Sequence, residues 1–302
     1  MKPIPVILDT DIGDDIDDTW ALALMLRCPE LDVKLITTDF GNPRYRGALV
    51  ARLLQAAGRT DIPVGLGPDS PGPRAPRGPQ AAWLEGFDLF QYQGTVHDDG
   101  VRAVVETIRG SSEPVTLICI GPLPTIHAAL AREPGIGSRA RFVGMCGSIR
   151  RNHKNDRGAV PEYNIAADVP SAQAVFSAPW DMTITPLDTC GFVRLAGAHY
   201  QRIKDCGDPL IRAVLENYRL WEKARDRPPE SVSASSVLFD TVAVYLAFAE
   251  DWLSLENLPV RVSDDGYTRV EPGARTVRCA TEWKNQDAFE EFLVDRLVGT
   301  GV

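Results

Sequence analysis

No stretch of the 302-residue sequence reaches eighteen consecutive apolar residues, so no membrane-spanning helix is expected. The opening stretch MKPIPVILDTD carries one Lys and a short apolar run that ends in acid. It lacks the apolar length and small-residue cleavage site of a signal peptide. Basic charge is short as well: 32 Lys and Arg against 41 Asp and Glu leave a net charge of −9. Nucleic acid and anionic membranes are therefore not expected as partners, since both need basic patches. The six cysteines (Cys28, Cys119, Cys146, Cys190, Cys206 and Cys279) contain no CxxC pair. That argues against a disulfide framework or a structural zinc, and for free thiols in a reducing cytosol. Neither an internal repeat nor a clear linker divides the chain, so a single domain is expected, long enough to bury a full core.

What is present is a repeated grammar of apolar run, polar or glycine-rich turn and helical period. IPVIL leads to an aspartate cluster and WALALMLR; VKLITT leads to DFGNPR and GALVARLLQAAG; VTLICI leads to GPLPT and IHAALAR. RFVGMC before GSIRR and MTITPL before DTCG continue it. Continuous apolar strands alternating with helices predict an α/β fold, a mostly parallel open sheet flanked by helices. In such sheets the ligand crevice lies beyond the carboxyl ends of the strands, and the unusual residues here follow the strands directly. Residues 66–80 (LGPDSPGPRAPRGPQ) and 150–161 (RRNHKNDRGAVP) interrupt the pattern and are expected as long loops, either solvated insertions or binding loops. Helices are expected over 208–225 and 236–249, then short strands near 259–280 and a closing helix, DAFEEFLVDRL.

The densest signal is DTDIGDDIDD, which puts Asp9, Asp11, Asp14, Asp15, Asp17 and Asp18 into ten residues straight after an apolar strand. Two carboxylates about 4 Å apart repel by roughly 4 kcal/mol at an effective dielectric near 20. A divalent cation offsets that cost, and oxygen-only donors favour Ca²⁺ or Mg²⁺ over zinc. An EF-hand does not fit, because a strand precedes the cluster and Gly13 stands fifth from Asp9. A haloacid-dehalogenase-type phosphatase also opens on strand–DxD and would use Asp9, Asp11 and Mg²⁺, but it leaves Asp17 and Asp18 unexplained. A solvated acidic cap on the following helix is the remaining structural reading.

The opening motif resembles that of the inosine–uridine-preferring nucleoside hydrolases, DTDxGxDD, lengthened by two residues so that Asp17 and Asp18 take the places of the final pair. The resemblance continues through TTDFGN (37–42), HDDG (97–100), GPLPTI (121–126), MCG (145–147), PEYN (161–164), PLDTCG (186–191) and LFDTVAV (238–244). It covers most of residues 4–245. It implies a single nucleoside hydrolase domain with a Rossmann-like core, and a Ca²⁺ that holds a water and the ribose 2′- and 3′-hydroxyls. By resemblance the metal ligands are Asp11, Asp18, Asp240 and the backbone carbonyl of Pro124, which keeps its C=O although it lacks N–H. Asp11 would also take the water's proton. Asp17, Asn42, Glu162 and Asn164 would read the sugar, while Asp9 orders the loop and Asp14 and Asp15 are solvated.

The pattern also breaks. Many members place a His before the C-terminal metal-binding Asp, where it protonates the leaving base; here that residue is Phe239. Counting back from Glu162 to an Asn that grips the 5′-hydroxyl in some members gives Asp156. His97, Tyr218 and Trp221 are the candidates for contacts to the base. His97 would otherwise cap a helix, and the two aromatics would otherwise pack in the core. Asp188 reads as a turn residue and Cys190 as an inert buried thiol. The resemblance further implies a cytoplasmic homodimer or homotetramer acting on a nucleoside in purine or pyrimidine salvage. The rival functions are the Mg²⁺ phosphatase and a non-catalytic nucleoside- or ribose-binding protein.

Overall fold

The computed structural model describes residues 2–69, 78–226 and 233–299. Ten strands form one sheet: β1 (Ile4–Thr10), β2 (Leu31–Thr38), β3 (Val64–Leu66), β4 (Val96–His97), β5 (Val115–Cys119), β6 (Ala140–Met145), β7 (Asp181–Thr185), β8 (Leu253–Val262), β9 (Thr268–Val270) and β10 (Thr276–Trp283). Their order is β4-β3-β2-β1-β5-β6-β7-β10-β8-β9. Neighbours from β4 through β7 to β10 pair in parallel, and only β8 and β9 add antiparallel pairings at one edge. The expected mostly parallel sheet is therefore the one observed.

Helices cover both faces: α1 (Asp17–Leu26), α2 (Pro43–Ala56), α3 (Gly100–Gly110), α4 (Pro124–Arg132), α5 (Tyr163–Ala166), α6 (Val169–Ser177), α7 (Leu187–Cys190), α8 (Gly197–Asp205), α9 (Pro209–Lys223), α10 (Thr241–Leu246) and α11 (Gln286–Val298). Strand periodicity separates two cores. Val6 and Leu8 of β1 join one apolar cluster with α1, α2, α9 and α10, while Ile7 joins the other with α3, α4 and α6. Burial on both faces explains why the central strands read as continuous apolar runs.

Two sequence expectations change. The helix foreseen over 236–249 is only α10, because the residues before it are held extended: Ser235 N–H donates to Leu195 O (2.8 Å) and Leu238 N–H to Val193 O (2.9 Å). Of the loop 66–80, residues 70–77 lie outside the described residues. The 150–161 loop has no regular element beyond an isolated Arg151–Arg157 bridge. Its start is tied down by Asp188, which accepts the N–H groups of Ile149 (2.8 Å) and Arg150 (2.7 Å), the turn role foreseen for it. All six cysteines are free. Among the described residues no helix is long and apolar enough to cross a membrane.

Candidate active site

A cavity of about 700 Å³ opens beyond the carboxyl ends of β1, β5 and β6 and is lined by Asp11, Asp17, Asp18, Glu162, Asn164, Phe239 and Asp240 among others. That volume is in the range of small-molecule sites. β1 delivers the first acids and then turns sharply. Thr10 Oγ1 accepts the Ile12 N–H (3.1 Å) and donates to Asp18 Oδ1, locking the turn to the first residues of α1. Gly13 has φ +116°, and a Cβ there would lie 2.5 Å from the Tyr45 ring, whose hydroxyl donates to Gly13 O. Only glycine suits that position.

Arg46 of α2, 2% exposed, fixes the rest of the loop. Its Nε donates to Phe40 O (2.6 Å), its Nη1 to Ile12 O (2.9 Å) and its Nη2 to Asp14 Oδ2 (2.7 Å). Asp14 is therefore half-buried and paired rather than solvated. Asp15 remains exposed and caps the Ile16 N–H (2.8 Å). Arg46 was not singled out from sequence, since one Arg in an amphipathic helix reads as part of the solvent face.

Asp17 and Asp18 open α1, and Asp240 is the N-cap residue of α10, which packs against α1. Each of these buried acids offers an oxygen within 4.8 Å of the others. Burial first, then the neighbouring carboxylates, raise the proton affinity of all three, and Asp17 and Asp240 hydrogen-bond to each other. Repulsion of about 4 kcal/mol per close pair exceeds what an ordinary surface ion pair returns. Arg46 eases Asp18 electrostatically but directs its own hydrogen bonds elsewhere. A hard divalent cation fits this all-oxygen donor set. Asp11 borders the cluster; burial pushes it up to about 6, against the pull of Arg46. The turn after β5 presses on it: a Cβ at Gly121 would lie 2.8 Å from Asp11 Oδ1.

Behind this floor sits a second acidic pair. Asp9 accepts from Thr37 Oγ1 (2.6 Å), and Asp39 accepts from Phe40 N–H (2.8 Å) and Thr125 Oγ1 (3.2 Å). Burial pushes Asp9 up to about 7, and burial and then the charge of Asp9 push Asp39 upward too. Asp9 is thus tied to the neighbouring strand β2. On the far side of the cavity Glu162 caps α5, accepting from Gly147 (2.9 Å), Asn164 (2.8 Å) and Ile165 (3.3 Å) N–H groups. Burial still pushes it up to about 7. Asn164 Nδ2 donates to Ile120 O (3.1 Å) and Met145 O (3.0 Å), joining the ends of β5 and β6.

The structure thus brings Asp11, Asp17, Asp18, Asp240, Glu162 and Asn164 together, with Asp156 and Phe239 on the same cavity. Four expected substrate contacts do not line this cavity. Asn42 is exposed and serves as the N-cap of α2, accepting from Tyr45 N–H at 3.1 Å. His97 ends the two-residue edge strand β4, away from the cavity lining; Asp99, not His97, caps α3. Tyr218 and Trp221 are 3% and 5% exposed within the core, where α9 packs its apolar face against α1 and α2. Pro124 is buried at the start of α4; it does not itself line the cavity, although its turn touches Asp11 through Gly121. Asn152, His153, Lys154 and Arg225 also line the cavity and were not assigned from sequence, because exposed loop residues carry no periodic signal.

Comparison with known proteins agrees with this geometry. The family profile of the inosine-uridine preferring nucleoside hydrolases matches residues 6–292. The pyrimidine-specific ribonucleoside hydrolase RihA of Enterobacter sp. (strain 638) is 32% identical over 224 residues, 70% of this chain and 69% of its own. The non-specific ribonucleoside hydrolase RihC of Klebsiella pneumoniae is 30% identical over 225 residues, 72% of each chain. Among solved structures, the inosine-uridine preferring nucleoside hydrolase of Bacillus anthracis superposes with a TM-score of 0.79 at 19% identity, covering 98% of this chain and 99% of its own. A plant nucleoside hydrolase, PpNRh1, gives 0.77 at 23% identity with the same coverage. At those identities the superpositions establish the fold, and the family follows from the sequence match. The chain belongs to the inosine-uridine preferring nucleoside hydrolases, enzymes that hydrolyse nucleosides.

Proposed function

We propose that this protein hydrolyses the N-glycosidic bond of ribonucleosides to free base and ribose, using a calcium ion held by Asp11, Asp18, Asp240 and the carbonyl of Pro124. The observation that carries the proposal is the buried convergence of Asp17, Asp18 and Asp240 at the floor of a nucleoside-sized cavity. Bound there, calcium would orient a water and the ribose diol and lower the pKa of that water.

The chain's own groups do the rest. Asp11 accepts the proton of the attacking water. As the bond to the base lengthens, positive charge develops at C1′, and the surrounding carboxylates stabilise this oxocarbenium-like centre. Asp17 accepts from a ribose hydroxyl. Asn164 has committed its amide N–H₂ and keeps Oδ1 for the sugar. Glu162 spends three acceptor sites on backbone N–H groups, which leaves one of the roughly four on a carboxylate for a hydroxyl. This reading also takes the protein to be a cytoplasmic homodimer or homotetramer working in base salvage.

Phe239 favours one rival, a nucleoside-binding protein without turnover, because phenylalanine cannot protonate a base. The phosphatase reading finds no support in the family match. The test is base release from uridine, cytidine, inosine and adenosine, with and without a calcium chelator, with Asp11→Asn as control. Chelator-sensitive release that Asp11→Asn abolishes is the expected result. Binding of nucleosides without release from any of them would overturn the hydrolase reading in favour of the binding one.

A further inference from the structure

On the hydrolase reading above, the departing base takes the electron pair of the broken C1′–N bond and needs either a proton or a positive charge beside it. Phe239, next to Asp240 in the cavity wall, supplies neither. Among the described residues, the non-carboxylate charged or titratable groups lining the cavity are His153, Lys154, Tyr163 and Arg225. His153 and Lys154 are exposed on the 150–161 loop, and Tyr163 is 51% exposed. Arg225 is held. Its guanidinium lies 3.6 Å from the centroid of Trp221, which stacks on Tyr218 at 5.8 Å; Tyr218 in turn meets the edge of Trp20 at 6.0 Å. Trp20 stands two residues after Asp18 on α1, so this aromatic column fixes the guanidinium relative to the carboxylate floor.

The same guanidinium is available. Its nearest carboxylate oxygen, Asp15 Oδ1, is 3.9 Å away on an exposed side chain, beyond hydrogen-bond length and of little energetic weight. Among the described residues no acceptor takes any of its five N–H donors. A planar, permanently charged fork stacked on an aromatic ring at a cavity rim, its N–H donors uncommitted among the described residues and its recorded ion pair long, is suited to an anionic or carbonyl-bearing heterocycle.

We propose that Arg225 is the leaving-group residue of this enzyme: it stabilises the departing base as an anion, by charge and hydrogen bonds, without donating a proton. The water oxygen bonds to C1′ and its proton passes to Asp11. The C1′–N pair stays on the base, which leaves as its anion and takes up a proton afterwards. Tyr218 and Trp221, expected from sequence to stack on the base, act instead as positioning residues for Arg225.

The test compares two leaving groups. Arg225→Gln is expected to lower kcat/KM on a ribonucleoside by about 100-fold, the usual cost of removing one transition-state donor, and Arg225→Lys by less. Hydrolysis of p-nitrophenyl β-D-riboside, whose phenolate leaves unaided, should change by no more than about threefold, since no leaving-group stabilisation is then lost. Wild-type kcat/KM should not decline between pH 7 and 9, because Arg stays charged there. Equal losses on both substrates would overturn the proposal and make Arg225 a structural or sugar-binding residue. An alkaline decline near pH 7 that His153→Gln removes would assign the step to His153 as a general acid. Failure of the hydrolase reading itself is separate: the wild-type protein would then cleave neither substrate.

Discussion

The floor and the rim of the cavity are built by different rules. At the floor, Asp11, Asp17, Asp18, Asp240, Glu162 and Asn164 are all buried, and each sits at a strand end or a helix start. Backbone geometry decides their positions, and Arg46, Gly13 and Gly121 hold that geometry in place. At the rim, Asn152–Asp156 lie on a largely exposed loop tied by hydrogen bonds of its own, and Arg225 follows the end of α9, stacked on Trp221. On the proposed function, the floor would supply the hydrolysis. The residue before Asp240, where the family resemblance expects a His, is Phe239, which lines the same cavity as Arg225. Loops on a rigid scaffold are the usual place for such differences.

That contrast is sharpest under mutation. The largest loss is expected from Asp18→Asn or Asp240→Asn. Removing a ligand from the cluster should forfeit several kcal/mol of charge stabilisation, about 10³-fold or more in kcat/KM, together with calcium-induced stabilisation in a thermal melt. Retention of either would break the distinction between floor and rim. Next, Arg46→Met should destabilise the fold by about 3 kcal/mol, because it leaves Asp14 unpaired and two buried carbonyls without donors. Urea unfolding measures this, and a change below about 0.5 kcal/mol, the level of an ordinary surface substitution, would show that the loop does not depend on Arg46.

Protons give a smaller, reversible version of the same test. Burial raises Asp11 to about 6 and Asp9 and Glu162 to about 7, above their ordinary values. A raised carboxyl contributes stability that is fully present below its unfolded pKa, near 4, and is lost as pH rises through the folded value. The chelated protein should therefore melt at a higher temperature at pH 5 than at pH 8 as far as these groups decide it. Calcium at the proposed site competes with the protons of its carboxylate ligands, Asp11 among them, so its stabilising effect should grow as pH rises over the same interval. A calcium-induced shift that is the same at pH 5 and pH 8 would contradict the proposed ligand set. The smallest effect is predicted at the rim, where Lys154→Ala should change stability by less than about 0.5 kcal/mol.

The same division governs what could be read from sequence. β1 and β5 are buried along almost their whole length, and β2, β6 and β7 along most of theirs, so the sheet was legible, and the aspartate cluster stands directly after β1. β3 and β4, three and two residues long, are too short to carry a period. Arg46 was hidden because its partners, Phe40 O, Ile12 O and Asp14, are backbone and loop atoms brought near only by the fold. Tyr218 and Trp221 fit a binding stripe and a core stripe equally well at helical spacing, and burial decided for the core. Asn42 followed a strand as a binding residue would, yet the Pro after it opens α2 and leaves Asn42 as the cap.

The most direct test of the account is a calorimetric titration of the metal-free protein with calcium, run in parallel on the Asp18→Asn/Asp240→Asn double variant. One ion bound per chain in the wild type, and none in the variant, is the predicted result. No binding to the folded wild-type protein, or binding that survives the loss of both carboxylates, would contradict the assignment of the buried aspartates as a metal centre.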